Sequence, residues 1–82
     1  MHFTETDKVK LEVIVIDSNS LESANATTLK AIIKNIEAGK GYEPVEVKHD
    51  LDHDTYTLID GLETFMACWW LEHERVKVEI SF

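Results

Sequence analysis

The sequence predicts a small α+β domain, in which a mixed β-sheet of about four strands packs against two helices in the order β, α, β, β, α, β. Three observations predict this class. The chain has 82 residues, which is enough for one hydrophobic core but not for two. Hydrophobic residues make up 44% of it, so it is too apolar for a disordered chain. Apolar residues alternate in some stretches and follow helical spacing in others.

The first predicted element is a β-strand over residues 9–16, VKLEVIVI, a run rich in β-branched side chains. Residues 17–20, DSNS, then favour a turn, because their side chains can hydrogen-bond to their own backbone. Residues 1–8 are polar, so we expect them to form a flexible segment. A single domain is then predicted over residues 9–82.

The next element is a predicted amphipathic helix. Its apolar positions are Leu29, Ile32, Ile33 and Ile36. These positions fall at i, i+3, i+4 and i+7, so they share one face of a helix. Thr27 or Thr28 is expected to cap its start. Gly39 and Gly41 are expected to end it, because glycine tolerates the left-handed conformation that closes a last turn.

The second half of the chain predicts a pair of strands, a second helix and a last strand. Val45 and Val47 alternate with charged residues, and residues 56–59 form a second apolar run beyond a polar loop. A helix is predicted over residues 61–74. Residues 76–80 alternate between apolar and polar side chains, which predicts a half-buried strand.

Charge and composition exclude several classes of protein. Sixteen acidic residues against eight basic ones give a net charge of −8, which opposes direct binding to a nucleic-acid backbone. Cys68 is the one cysteine, so no disulfide framework is possible. The polar N-terminus is unlike a signal peptide, and no apolar run approaches the roughly 18 residues of a membrane span. We therefore expect a soluble, cytoplasmic protein with no membrane contact.

A resemblance to a known family rests on four segments. They are GYEPVEV, YTLIDG, a helix with Ala67 six residues after Gly61, and VKVEI. In this order and spacing they resemble the core of the ParB/sulfiredoxin superfamily, as found in ParB N-terminal-like domains. The resemblance implies a nucleotide or phosphate group bound at the start of the second helix, where free backbone N–H groups attract anions. In that superfamily an arginine just after the glycine usually completes the site.

The sequence departs from the superfamily at this turn. Gly61, Leu62, Glu63 and Thr64 occupy the positions of the motif, and none of them is an arginine. Asp60 and Glu63 are expected to form a capping box, whose side chains satisfy the N–H groups that a phosphate would use. The carboxylate of Glu63 would also repel phosphate. We therefore interpret residues 60–64 as a degenerate phosphate-binding turn, with no cofactor and with nucleotide binding disfavoured.

Two further features of the sequence have residue types that could form chemical sites. Residues 49–54 place histidines and aspartates in one loop, but their spacing fits no known metal loop, so a solvated hairpin loop is favoured over a metal site. Cys68 lies in mid-helix with no basic neighbour in sequence, so an inert thiol is favoured over a reactive one. We assign no metal ligand and no catalytic residue.

The second helix carries more apolar side chains than one sheet can bury. The candidate interaction surface consists of Phe65, Met66, Trp69 and Trp70. Adjacent tryptophans lie about 100° apart on a helix, so both can face the sheet only if one lies at its edge. Two interpretations remain open: one indole folds over the rim of the core, or the surface meets a protein partner or a second copy of the chain.

These observations favour a non-catalytic, ParB-like binding or regulatory module that acts through protein–protein contacts. An accessory or inhibitor protein of a phage or plasmid is one example of such a module. A nucleotide-binding enzyme or switch of the same superfamily, which transfers or hydrolyses phosphate, is the first alternative. An acidic mimic of DNA is the second.

Overall fold

The structure, a computed structural model, describes residues 4–17 and 21–81. Within these residues the strands are β1 (Thr4–Lys10), β2 (Ile14–Val15), β3 (Val45–Asp50), β4 (Thr55–Asp60) and β5 (Arg75–Ser81). The helices are α1 (Ala26–Glu37) and α2 (Leu62–Trp70), and a 3-10 turn (Leu11–Val13) connects β1 to β2. The predicted α+β class with two helices is confirmed, although the sheet has five strands rather than about four.

The five strands form one mixed sheet in the order β1-β5-β3-β4-β2. The β1–β5 and β3–β4 pairs are antiparallel, whereas the β5–β3 and β4–β2 pairs are parallel. The two strands predicted on either side of the polar loop do pair, and they form the β3–β4 hairpin. The strand expected over residues 76–80 is confirmed as β5.

The prediction of one strand over residues 9–16 is wrong. The run breaks at the 3-10 turn, where the Leu11 N–H donates to the Glu74 carbonyl at 3.1 Å. Its first part pairs with β5 at one edge of the sheet, and its second part pairs with β4 at the opposite edge. Residues 4–8 were expected to be flexible, but they belong to β1 and pair with β5 from Thr4–Ser81 to Lys8–Lys77. Residues 1–3 lie outside the described residues.

Helix α1 begins earlier than predicted, because its N-cap lies two residues before Thr27, the first of the two predicted cap residues. Asn25 is the cap, and its side chain accepts a hydrogen bond from the Thr28 N–H at 3.0 Å, so the assignment of Thr27 or Thr28 is wrong. The short asparagine side chain reaches this donor because Asn25 has an extended backbone. At the other end Gly39 and Gly41 both have positive φ, 76° and 78°, as the sequence predicts.

Helix α2 ends at Trp70, four residues before its predicted end. The chain turns there because Glu72 adopts a left-handed conformation, with φ of 60°. The Glu72 N–H donates to the Trp69 carbonyl and the His73 N–H donates to the Cys68 carbonyl, at 3.1 and 2.9 Å. These bonds satisfy carbonyl groups at the end of the helix, which closes without a glycine.

The core lies between the sheet and the helices. Val45 and Val47 of β3 and Val76 and Val78 of β5 are fully buried, as their alternation with polar residues predicts. Helix α2 contacts both of these central strands and also packs against α1. Phe65 and Cys68 join the same hydrophobic cluster from α2. This packing holds the start of α2, and the turn before it, against the centre of the sheet.

Candidate functional site

The predicted phosphate-binding turn lies between β4 and α2. Gly61 is the residue before the helix and has a left-handed backbone, with φ of 90° and ψ of 31°. A Cβ atom added at Gly61 would lie 3.0–3.1 Å from the side chain and Cα of Val45. Both the backbone conformation and this close approach therefore require glycine here. Around it, Asp60 is exposed, Leu62 and Glu63 are half-buried, and Thr64 is buried.

The capping box predicted for Asp60 and Glu63 is wrong. Asp60 is the last residue of β4, and Gly61, which has no side chain to act as a cap, takes the cap position of α2. Glu63 Oε1 instead accepts a hydrogen bond from the Asn25 N–H at 3.1 Å. Since Asn25 caps α1, the Glu63 carboxylate ties the beginnings of the two helices together. The left-handed glycine places Asp60 one residue too early to act as the cap.

A small polar cavity of about 250 Å³ opens beside this turn. Three carboxylates line it, those of Asp17, Asp60 and Glu63, together with Ser23 and apolar side chains. None of its lining residues within the part of the chain that the structure describes is a lysine or arginine. A phosphate group that entered the cavity would meet repulsion from the carboxylates without a basic partner.

The β3–β4 loop holds its histidines in two separate pairs. His49 Nε2 lies 3.2 Å from Asp54 Oδ1, and the His49 ring stacks on Tyr56 at a centroid distance of 4.5 Å. His53 Nδ1 lies 2.9 Å from Asp50 Oδ2, and this hydrogen bond lowers the pKa of Asp50. Among residues 4–17 and 21–81, no group of three or more His, Cys, Asp or Glu side chains could hold a metal ion. Both histidine–aspartate contacts lie within the hairpin, so they favour a local role in stabilising its loop.

Cys68 is enclosed by the core, and burial raises the pKa of its thiol. Tyr42 lies beside it, and burial also raises the pKa of the Tyr42 hydroxyl. That hydroxyl accepts a hydrogen bond from the Lys77 N–H at 3.2 Å, and Lys77 Nζ lies 4.6 Å from the centre of the Tyr42 ring. A neutral, inaccessible thiol has neither the charge nor the exposure of a nucleophile.

Both tryptophans of α2 lie on its outer side. Trp69 is 65% exposed and Trp70 is 68% exposed, so the interpretation that one indole folds over the core is wrong. Phe65 is buried, so its assignment to the exposed interaction surface is wrong, whereas Met66 is half-buried. The side chains that α2 buries are Thr64, Phe65, Ala67 and Cys68. These residues form one continuous arc at 100° per residue, so the opposite arc presents Met66, Trp69 and Trp70. We call these three residues the α2 surface.

An open apolar groove of about 840 Å³ runs beside the α2 surface. Its apolar lining includes Leu11, Ile14, Ile16, Leu21, Met66 and Trp69, with Phe65 at the α2 side. A smaller depression of about 340 Å³ continues past Trp69 to Trp70 and Glu72. The apolar pattern of residues 11–16 predicts a strand but does not connect them with this surface. The signal was present in Ile14 and Ile16, which are apolar and lie on the face of that run opposite Val9, Val13 and Val15.

The comparisons with known proteins agree with this architecture at the level of the fold. No family model matches the sequence, and no curated protein matches it. A sulfiredoxin from Arabidopsis thaliana is similar in structure, with a TM-score of 0.79 and 18% identity over 93% of this chain and 83% of that one. A Pnob8-like ParB-N domain matches with a TM-score of 0.76 and 17% identity over 99% of this chain.

A third similar structure is the truncated chromosome-partitioning protein ParB from Caulobacter crescentus, complexed with CTP-gamma-S. Its TM-score is 0.73, with 13% identity over 93% of this chain. The chain spans 43% of that structure and 31% of the Pnob8-like domain structure, so it corresponds to less than half of each. The chain has the fold that the sulfiredoxin and ParB N-domain structures share, which confirms the fold that the sequence resemblance implies. Within the described residues, no helix is long and apolar enough to cross a membrane.

Proposed function

We propose that this chain is a non-catalytic, ParB-like binding or regulatory module that acts through protein–protein contacts of the α2 surface. The observation that carries the proposal is the exposure of Trp69 and Trp70, at 65% and 68%. Two such indoles present roughly 250 Å² of aromatic surface between them. Tryptophan is enriched among the residues that carry most of the binding energy at the centres of protein interfaces, where its large aromatic side chain is buried by the partner.

The residues around the turn support a non-catalytic role. Asp17, Asp60 and Glu63 line the cavity at the start of α2, where the resemblance implies a phosphate group, so this cavity is acidic. Cys68 is buried and protonated at neutral pH, so it offers no nucleophile. The proposed setting is cytoplasmic, for an accessory or inhibitor protein of a phage or plasmid that recruits or blocks a protein partner.

Mg-ATP and Mg-CTP are expected not to bind at millimolar concentration. The physical reason is the acidic cavity beside Gly61, which contains three carboxylates and repels the phosphates. Chemical-shift titration of the 15N-labelled protein measures this, with magnesium chloride alone as the control for cation effects. Saturable shifts centred on residues 61–64 would contradict the prediction and would favour a nucleotide-dependent switch.

The proposed function is tested by affinity capture from the source cell, followed by mass spectrometry. A partner that binds the wild-type chain is expected to be lost from the variant with Trp69→Glu and Trp70→Glu. Loss of a central aromatic anchor typically costs about 2 kcal/mol or more of binding free energy, about 30-fold in affinity. Both side chains are exposed, so the far-UV circular dichroism spectrum is expected to stay unchanged.

Leu51→Glu is the matched control for this capture experiment. Leu51 is 78% exposed in the β3–β4 loop, so its replacement also adds a charge to an exposed apolar position, but outside the α2 surface. The control is expected to retain the partner. Equal capture by the tryptophan variant and the wild type would contradict the proposed function.

A further inference from the structure

The groove beside α2 combines an apolar floor with an acidic rim. The floor is its apolar lining, which includes Leu11, Ile14, Met66 and Trp69. Charged residues at its rim are Glu12, Glu72, Glu74 and Lys10, so three glutamates face one lysine. Glu12, Glu72 and Glu74 are all exposed. An occupant of this groove would therefore bury apolar side chains in the middle and meet negative charge at the sides.

We infer that the groove docks the apolar face of an amphipathic helix, flanked by lysine or arginine, from a different protein. The inference rests on the proposed function and names the chemistry of its partner. Positive side chains beside the apolar face would lie opposite Glu12, Glu72 and Glu74, which gives electrostatic complementarity at the rim. Met66 supplies an adaptable contact and Trp69 a large, rigid one, a combination suited to apolar anchors on a helix.

A second copy of this chain fits the groove less well. Each copy carries a net charge of −8, and a two-fold dimer would bring the same acidic rim against itself. Like charges across an interface are unfavourable, so the rim selects against self-association. An anionic lipid surface is disfavoured for the same reason.

An extended peptide also fits less well than a helix. The wall opposite α2 consists of the 3-10 turn, Leu11–Val13, followed by the two-residue strand β2. The Leu11 N–H is already bonded to the Glu74 carbonyl at 3.1 Å. Strand addition needs a run of unpaired backbone groups along a sheet edge. This wall instead presents side chains, which a helix contacts through residues at i, i+3, i+4 and i+7.

Two synthetic peptides test this inference on the full chain. Both are about 18 residues long, so that they can form several helical turns, and both carry leucine at i, i+3, i+4 and i+7. One has lysine at the flanking positions and the other has glutamate. Binding is followed by the fluorescence of Trp69 and Trp70 and mapped by chemical shifts. The lysine peptide is expected to bind at least tenfold more tightly, with an affinity that falls as salt is added.

Charge reversal at the rim provides the matched comparison. The preference is the ratio of the affinities for the lysine and the glutamate peptide. Glu12→Lys together with Glu74→Lys is expected to lower this ratio at least tenfold. Glu37→Lys together with Glu46→Lys changes the net charge equally at exposed positions outside the groove, and it is expected to leave the preference within about twofold. All four side chains are exposed, so both variants are expected to keep the wild-type spectrum.

Three results would overturn the inference: no binding of the lysine peptide, equal binding of the two peptides, or the same loss of preference in both charge variants. The proposed function is tested separately by partner capture. If the partner is lost from the tryptophan variant while both peptides bind equally, the α2 surface still contacts a protein, but that protein is not selected by basic flanks.

Discussion

Phe65→Ala is expected to lower the free energy of unfolding by about 3–5 kcal/mol, as is typical when a buried aromatic side chain is truncated. Phe65 is 8% exposed and belongs to the hydrophobic cluster between α2 and the sheet. Its removal would delete the packing that Phe65 makes with the buried residues of this cluster, which include Cys68. Urea denaturation followed by far-UV circular dichroism measures the change.

Trp70→Ala is the control for this measurement. Trp70 belongs to the same helix and is a larger aromatic residue, but it is 68% exposed. Its truncation is therefore expected to cost less than about 1 kcal/mol of stability. If the two substitutions destabilised the protein equally, the Trp70 indole would belong to the core and could not supply a free interaction surface.

Gly61→Ala is expected to cost about 3 kcal/mol, because the substitution combines two unfavourable effects. The left-handed backbone, with φ of 90°, is strained for a residue that has a side chain. The added methyl group would also lie 3.1 Å from the Cα of Val45, a backbone atom in the centre of the sheet. Thermal or urea denaturation gives the free-energy difference.

Gly39→Ala separates these two effects. Gly39 has a similar positive φ of 76°, but no atom lies within 4 Å of the position its Cβ would occupy. Only the backbone strain remains there, so we expect a cost of about 1 kcal/mol. Equal costs at the two glycines would mean that the close approach of the turn to Val45 contributes nothing to stability.

Local patterns in the sequence were sufficient for much of the fold. Val45 and Val47, and Val76 and Val78, alternate with polar residues, and each pair is buried in a central strand as expected. This works because the side-chain period of a strand is independent of what lies around it. The glycines after α1 were also predicted correctly, because their left-handed conformation is a local property of a helix end.

The predictions that were wrong concern features that depend on contacts between residues distant in sequence. The apolar run over residues 9–16 contains no marker for the point at which the chain leaves one edge of the sheet for the other. Glu63 was assigned a neighbouring partner, but it accepts a hydrogen bond from Asn25, 38 residues away. A capping motif is only a local preference, and here the packing of the two helices against each other determines where the carboxylate binds.

The orientation of α2 could not be obtained from its apolar residues alone. They surround most of the helix, so a helical wheel gives the angles between side chains without indicating which of them faces the sheet. The structure shows that the small residues Thr64, Ala67 and Cys68 lie on the buried side beside Phe65. Small side chains let the helix approach the sheet closely, and the two tryptophans are consequently directed outward.

Site-specific photo-crosslinking in the source cell tests the central claim most directly. The photoreactive residue p-benzoylphenylalanine is placed at position 70, within the α2 surface, or at position 51, in the β3–β4 loop. Both positions are strongly exposed, at 68% and 78%, so they have comparable access to solvent and to other proteins. The account predicts a discrete covalent adduct with another protein from position 70 and none from position 51. No adduct from position 70, or the same adduct from both positions, would contradict it.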